Sequence, residues 1–475
     1  MTRELFFIVL TVAPTLVGIA AGAATTRGHL RGRPRRCTRY HAPYEGGSGG
    51  RPVERSHAPW RERKNVTMLR TTMLAATLGM TAAACGAADV AVVHARVYTA
   101  PGARPLADAT VLIHDGRIAA VARRLALPAG TTVLPCDGCV VMAGFWNAHV
   151  HFTEPKWMGA ATLDARTLER QLQDMLTHSG FTSVVDTGSD PGVTTELRRR
   201  IERGEVAGPR IRTAGLPLYP EHALPYYLDD LPAAVRAALP QPASPEDARD
   251  AVARNFAAGA DITKLFTGSI VKPGQVQPMR ADIAAAAVAE SHRRGALVFS
   301  HATNLEGVRV ALDSGVDVLA HSPEIVDDID TALVQEMARR HVAIVPTLKL
   351  FSRDDNIADI RKLVLDAHRA GIRLVFGTDT GFLADYDVSE EFRQLSQAGL
   401  GVDDILAMLT TAPAALFKLD AHAGRVARGN DGDLTVLGSD PKTAGVGAFS
   451  DVRYTIRGGQ VLFDAARDGK AVKAE

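Results

Sequence analysis

The chain reads as an α/β protein: a (β/α)8 TIM barrel bracketed by a small β domain built from both of its flanks. Three observations predict this. Between residues 145 and 412, eight apolar strand-like runs alternate with amphipathic helical patterns, the order and length expected of such a barrel. Several helical patterns stop at a glycine just past the last periodic residue (Gly180, Gly259, Gly295, Gly315 and Gly371), as helix C-termini do. Short strand patterns precede and follow this region. An open doubly wound sheet would show the same alternation. It would also want a glycine-rich phosphate loop after its first strand, and no Gly-x-Gly-x-x-Gly stands there.

In chain order, strand-like runs at 89–99 and 110–121 come first, with Asp115-Gly116 as a hairpin turn inside the second. Short runs at 131–134 and 140–142 follow. Cys136-Asp137-Gly138-Cys139 between them reads as a tight turn, since no second cysteine pair completes a zinc site; a local disulfide is the alternative in an oxidising compartment. The barrel strands are expected at 145–152, 182–187, 210–216, 262–266, 297–301, 318–321, 343–347 and 374–378. Helices are expected at 163–177, 194–203, 245–258, 280–294, 306–313, 331–340 and 357–370. Strand patterns return at 432–437, 452–456 and 460–463. We therefore expect 89–144 and 413–465 to pair into one composite β-sandwich domain around a barrel spanning 145–412, with 466–475 as a tail.

The N-terminus carries an address. Residues 5–24 are apolar behind Arg3 and resemble a signal peptide or a short membrane anchor. A second such segment spans 68–88: Met68 and Arg70, an apolar core at 73–80, then Thr81-Ala82-Ala83-Ala84-Cys85-Gly86. Its end resembles a bacterial lipobox, with Cys85 as the acylated residue, although Ala82 stands where that motif prefers leucine. Cleavage after Ala84 without lipidation is the alternative, and a buried helix over 73–84 is the third reading. Two consecutive signals are one too many. Translation is expected to start at Met68, with 1–67 a non-structural extension, and the product to be exported, either periplasmic or anchored to the membrane by lipid.

Composition narrows the function. The apolar share of 46% and charged share of 23% are those of an ordinary globular protein. A net charge of +1 gives no electrostatic reason to expect nucleic acid. Four cysteines in 475 residues make no disulfide framework.

Reactive residues of a (β/α)8 barrel sit at the C-terminal ends of its strands. Those ends carry His149 and His151 on the first strand, Lys264 on the fourth, His301 on the fifth, His321 on the sixth and Asp379 on the eighth. His149 and His151 lie two residues apart and so point to one face of their strand. Imidazole and carboxylate together suit zinc or a similar divalent ion. The other histidines fall at helix ends, in the β flanks or in the N-terminal segment. His222, in the loop after the third strand, is the one further candidate.

These residues sit in motifs that resemble the metal-dependent amidohydrolase superfamily, in its imidazolonepropionase-like and Xaa-Pro or Xaa-Arg dipeptidase-like branch. The motifs are Val141-Met142-Ala143-Gly144-Phe145-Trp146-Asn147-Ala148-His149-Val150-His151, Gly259-Ala260-Asp261-Ile262-Thr263-Lys264, Ser300-His301-Ala302, Ala320-His321-Ser322 and Phe376-Gly377-Thr378-Asp379-Thr380-Gly381. Asn147 and Ala143 depart from it, standing where aspartate and proline are commoner. The resemblance implies two divalent metals, with zinc expected. His149, His151 and Asp379 would hold one, His301 and His321 the other, and an N-carboxylated Lys264 and a hydroxide would bridge them. Asp379 would act as the catalytic base, and His222 would polarise the scissile carbonyl or hold substrate. Tyr219, Tyr226 and Tyr227 are candidates for a substrate carboxylate, though loop tyrosines are as often packing residues.

The expected activity is hydrolysis of an amide or peptide C–N bond in a small molecule or dipeptide, by a homo-oligomer. A mononuclear cyclic-amide hydrolase or deaminase is the alternative within enzymes. A non-catalytic surface-anchored binding protein is the alternative outside them.

Overall fold

In the computed structural model, residues 89–468 are described. The segments 1–67 and 68–88, with Cys85, and the end of the tail lie outside the described residues.

Five strands open the chain: β1 (Val90–Val97), β2 (Leu106–His114), β3 (Arg117–Ala122), β4 (Thr132–Pro135) and β5 (Val140–Ala143). Cys136 and Cys139, between β4 and β5, are joined by a disulfide across the Asp137-Gly138 turn, so turn and bridge coexist. The barrel strands are β6 (Phe145–Val150), β7 (Phe181–Asp186), β8 (Arg210–Thr213), β9 (Thr263–Lys272), β11 (Val298–Ala302), β12 (Val318–Leu319) and β13 (Ala343–Ile344). A hairpin strand, β10 (Gln275–Pro278), folds back on β9. β14 (Leu434–Leu437), β15 (Val452–Arg457) and β16 (Gln460–Asp464) end the described chain.

The two flanks form one hydrogen-bonded sheet, in the order β16-β15-β14-β5-β1-β2-β3, with β4 added on β1. The join is the antiparallel pair β14–β5, from Leu434 opposite Ala143 to Leu437 opposite Val140. Sequence patterning marks both flanks as strands, and their mutual pairing buries the apolar faces of both, including Val92, Val111, Val141, Val436 and Ile456. Gly144 alone separates β5 from β6. A Cβ there would collide with Thr182, so only glycine lets the chain pass from sheet to barrel this tightly.

The barrel ring closes through a mixture of regular pairs and single bridges. β6, β7 and β8 are parallel neighbours, as are β9, β11, β12 and β13. Leu218 bridges to Leu265 between the third and fourth positions, and Ile344 to Leu374 between the seventh and eighth. The eighth segment closes on the first: the N–H of Ala148 donates to Phe376 O (2.8 Å), that of Asp379 to His149 O (2.9 Å) and that of His151 to Thr380 O (2.8 Å). Ala148, Val185, Ala214, Ile262, Phe299, Val318, Val345 and Val375 fill the interior from successive strands.

The late strands are shorter than the patterning suggests, for local reasons. Pro346 has no N–H to give the ladder, and Thr347 takes a left-handed backbone (φ 46°). The fourth strand is instead longer: it continues past the expected end at 266 through 267–272, which pair with β10 across the Pro273-Gly274 turn. The helices Ser389–Gln397 and Val402–Leu409, absent from the sequence expectation, follow the eighth segment. All five glycines expected at helix ends have positive φ.

Candidate metal centre

Four histidines, a lysine and an aspartate meet at the C-terminal end of the barrel. His149 is fully buried, Lys264 is 1% exposed, Asp379 3% and His321 6%. The ring centroids of His149 lie 5.2 Å from His151 and 4.3 Å from His321, and His321 lies 4.9 Å from His301. Asp379 Oδ1 sits 3.2 Å from His149 Nε2 and 2.9 Å from His151 Nε2. Ligand atoms of His149, His321 and Asp379 all fall within 4.8 Å of one another.

The hydrogen bonds of the outer ring atoms decide what the inner ones offer. His149 Nδ1 lies 2.5 Å from Ala320 O and His151 Nδ1 2.7 Å from Gly188 O. A carbonyl only accepts, so both Nδ1 atoms carry the proton and both Nε2 atoms present a lone pair. His321 Nδ1 meets Thr347 Oγ1 at 3.0 Å, and that hydroxyl donates to Pro346 O (2.9 Å). The threonine therefore accepts from His321, and Nε2 is again free. For His301 the sides are exchanged: Nε2 meets Thr303 Oγ1 (3.1 Å), whose hydroxyl donates to Gly268 O (2.8 Å), leaving Nδ1 as the open atom.

His149 Nε2, His301 Nδ1 and Asp379 Oδ1 are buried without a hydrogen-bond partner. Lone pairs facing a carboxylate oxygen at about 3 Å repel one another unless a cation lies among them. The donor set therefore fits a divalent metal.

Protonation agrees. Burial pushes His149 down to about 4 and His301 to about 3, and holds His321 well below the usual imidazole range. All three are neutral at physiological pH, as ligation requires. For His151 burial pulls downward, but Asp379, joined by Asp186 and the Gly188 carbonyl, more than offsets it and the net direction is up. Burial alone would raise Asp379; the surrounding histidines hold it well below the usual carboxylate range instead. Burial pushes Lys264 down to about 7, against the opposing pull of Asp379 and Asp186.

Local structure holds these side chains. Asp379 (φ 58°) and Thr347 (φ 46°) both adopt left-handed backbone, a strain that clusters at functional sites. Asn147 ties the first strand to the eighth, accepting from His149 N (3.2 Å) and donating to Thr378 Oγ1 (2.7 Å). Its departure from the commoner aspartate leaves the ligands in place.

Other expectations fare differently. His222 is set apart from the cluster: its side chain is 92% exposed, and its left-handed backbone (φ 54°) sits at a loop tip beside Glu221. The described structure thus does not bring His222 together with the other candidates. Tyr226 and Tyr227 are half-buried, and Tyr227 packs edge-on to Phe382, three residues past Asp379 (5.4 Å). Tyr219 is buried against Phe266 (4.5 Å), which in turn stacks on His301 (4.6 Å).

Sequence reasoning passed over Thr347, Thr303 and Asp186. Asp186 ends β7, accepts from Ser189 Oγ and Thr213 Oγ1 (both 2.6 Å), and is pushed up by burial. Its signal was a lone carboxylate at the end of an apolar strand.

The sequence profile of the amidohydrolase family matches residues 140–462. The chain belongs to the amidohydrolase family. As such it is a hydrolase acting on carbon–nitrogen bonds. No curated protein matches its sequence. Among solved structures it is similar to a protein of Bifidobacterium longum described as a candidate prolidase, with 25% identity and a TM-score of 0.65 over 82% of this chain and 100% of that one. A Xaa-Pro dipeptidase with methionine bound in its active site shares the fold at 21% identity and a TM-score of 0.68, over 79% of this chain and 99% of that one. So does the A. niger ochratoxinase, at 20% identity and a TM-score of 0.65, over 79% of this chain and 96% of that one.

Proposed function

We propose that this amidohydrolase uses two divalent metals, with zinc expected, to cleave the amide or peptide C–N bond of a small substrate such as a dipeptide. The observation that carries the reading is the set of ring nitrogens that the outer hydrogen bonds of four histidines aim at a buried carboxylate, with His149 Nε2 and His301 Nδ1 left without a partner. His149, His151 and Asp379 would hold one ion and His301 and His321 the other. Lys264, whose burial makes the neutral amine accessible near neutrality, would add carbon dioxide and lose a proton to become the bridging carbamate. When bound, the ions polarise the scissile carbonyl and acidify the attacking water.

The protein's own groups do the rest. Asp379, held ionised by its histidine neighbours, takes the proton of the attacking water at a carboxylate oxygen and passes it to the leaving nitrogen. The buried ring wall of Phe266 and Tyr219 excludes bulk water on the His301 side. Tyr226 and Tyr227 remain the residues proposed to meet a substrate carboxylate.

The test is a metal titration coupled to a dipeptide and N-acyl amino acid screen. Full activity at two ions per chain, lost in Lys264→Ala, is expected. Full activity at one ion, unchanged by Lys264→Ala, would point to the mononuclear cyclic-amide hydrolase or deaminase. Tight small-molecule binding without turnover by metal-loaded protein would point to a binding protein. For the address, we propose export with Cys85 acylated: Cys85→Ala should move the protein from the membrane fraction to the soluble one, and intact mass should start at residue 85.

A further inference from the structure

At the opposite end of the barrel from the metal centre, a cleft of about 390 Å³ opens by the N-terminal ends of β6, β7 and β8. Four arginines line it, Arg198, Arg210, Arg212 and Arg457, against two carboxylates, Glu202 and Asp261. Two are committed to carboxylates. Arg198 pairs with Asp261 and donates to Gly259 O (2.7 Å), and Arg210 pairs with Asp433. Arg457 donates to a backbone carbonyl, Gly208 O (2.5 Å), and forms no ion pair among the described residues. Arg212 forms neither a hydrogen bond nor an ion pair through its side chain among the described residues. Its guanidinium lies 4.8 Å above the ring of Phe417.

Arg212 is a costly residue to place here. It stands two positions before Ala214, which packs in the barrel interior, so both point to the same side of β8. Its guanidinium stays charged in any accessible pH and carries five N–H donors. An apolar side chain would extend the core without any such penalty. Burial works against the charge on Arg212, where Asp261 opposes it and Arg198 and Arg210 add to it, and on Arg457, where Arg210 adds to it and Asp433 and Glu202 oppose it. Neither guanidinium forms an ion pair among the described residues, so the N–H donors of Arg212, and those of Arg457 not engaged by Gly208 O, remain open to an anion.

We propose that this cleft is a binding site for a small phosphate-bearing anion, held by Arg212 and Arg457 with Arg198 and Arg210 at its rim. The arginines come from β8, from the helix Pro191–Glu202 and from β15, so their donors surround the space and do not share one plane. A tetrahedral phosphate offers oxygens in several directions and can meet donors from all three; a planar carboxylate matches one guanidinium fork. The volume exceeds what a bare phosphate fills, and Trp146 and Leu419 give the organic part an apolar wall.

The test uses inorganic phosphate as probe and the full metal-loaded chain, titrated calorimetrically at ionic strength fixed with chloride. Saturable binding is expected, weakened about tenfold or more in Arg212→Met, as loss of a charged hydrogen-bonding group implies. Phosphate also has affinity for metal ions, so Asp379→Asn serves as the control and should retain the site. In the unaltered protein, phosphate should slow modification of Arg212 and Arg457 by phenylglyoxal, read by peptide mass spectrometry, and chloride should not. Equal affinity in wild type and Arg212→Met, loss of binding in Asp379→Asn alone, or unchanged arginine modification would each overturn the proposal. Should Arg212→Met fail to fold, the protection experiment decides alone.

Discussion

The chemistry of this centre is set by atoms one bond removed from the ligands. Thr347 is the clearest case, a β-branched residue held at φ 46° so that its hydroxyl accepts from His321 and donates to Pro346 O. Thr347→Val keeps the branch but removes that acceptor, and His321 is then free to take the wrong tautomer. The expected result is a loss of about 10- to 100-fold in metal affinity or activity, read by metal titration and steady-state kinetics. A second residue gives a pH signature away from the ligands. Glu391 is fully buried; burial pushes it up to about 8, against the stabilising contact of Oε2 with the N–H of Lys349 (2.6 Å). The folded state thus holds a proton that the unfolded chain releases above its ordinary value of 4.5. Its contribution to stability is complete below that value and is lost as pH rises toward 8, each tenfold in proton affinity being worth about 1.4 kcal/mol. Between pH 5.5 and 8.5 the melting temperature of Glu391→Gln should fall less than that of the wild type; parallel curves would refute the assignment.

At the scale of elements, the eighth strand segment is the most constrained piece of the barrel. Gly377 packs its Cα between Val345 and His149, and a Cβ at Gly381 would run into the carbonyl of His151, with a backbone (φ 98°) that other residues resist. Both glycines press the segment that carries Asp379 against the strand that carries His149 and His151. Gly381→Ala should therefore cost about 2–4 kcal/mol in denaturant unfolding and release metal at the same time. Stability lost with metal stoichiometry intact would mean that this contact positions nothing. The β9–β10 hairpin was not legible because residues 267–272 mix small polar and apolar types; only the partner strand makes them a strand.

For the whole molecule, the sheet that joins residues 140–143 to 434–437 makes the two ends of the described chain one structural unit. Deleting residues 434–468 exposes the apolar edge of β5 and should leave insoluble protein, measured by the soluble fraction on expression. The metal links to global stability as well. Because the open lone pairs exist only in the folded barrel, chelation should lower the melting temperature, by the equivalent of about 2.7 kcal/mol when free metal had stood at 100 times Kd.

The alternation of strands and helices, the strand ends and the histidine, lysine and aspartate side chains carried there are legible locally, because they depend on period and on local chain chemistry. That His149, His151, Lys264, His301, His321 and Asp379 share one end of the barrel was readable from their places on strands. Tertiary structure alone decided which nitrogen of each histidine faces inward, since that rests on carbonyls and hydroxyls at distant positions: Ala320, Gly188, Thr347 and Thr303. It also decided that His222 stands in solvent and that four arginines from three elements share one cleft. Period along a chain specifies which face a side chain takes; only the closed barrel specifies what it meets there.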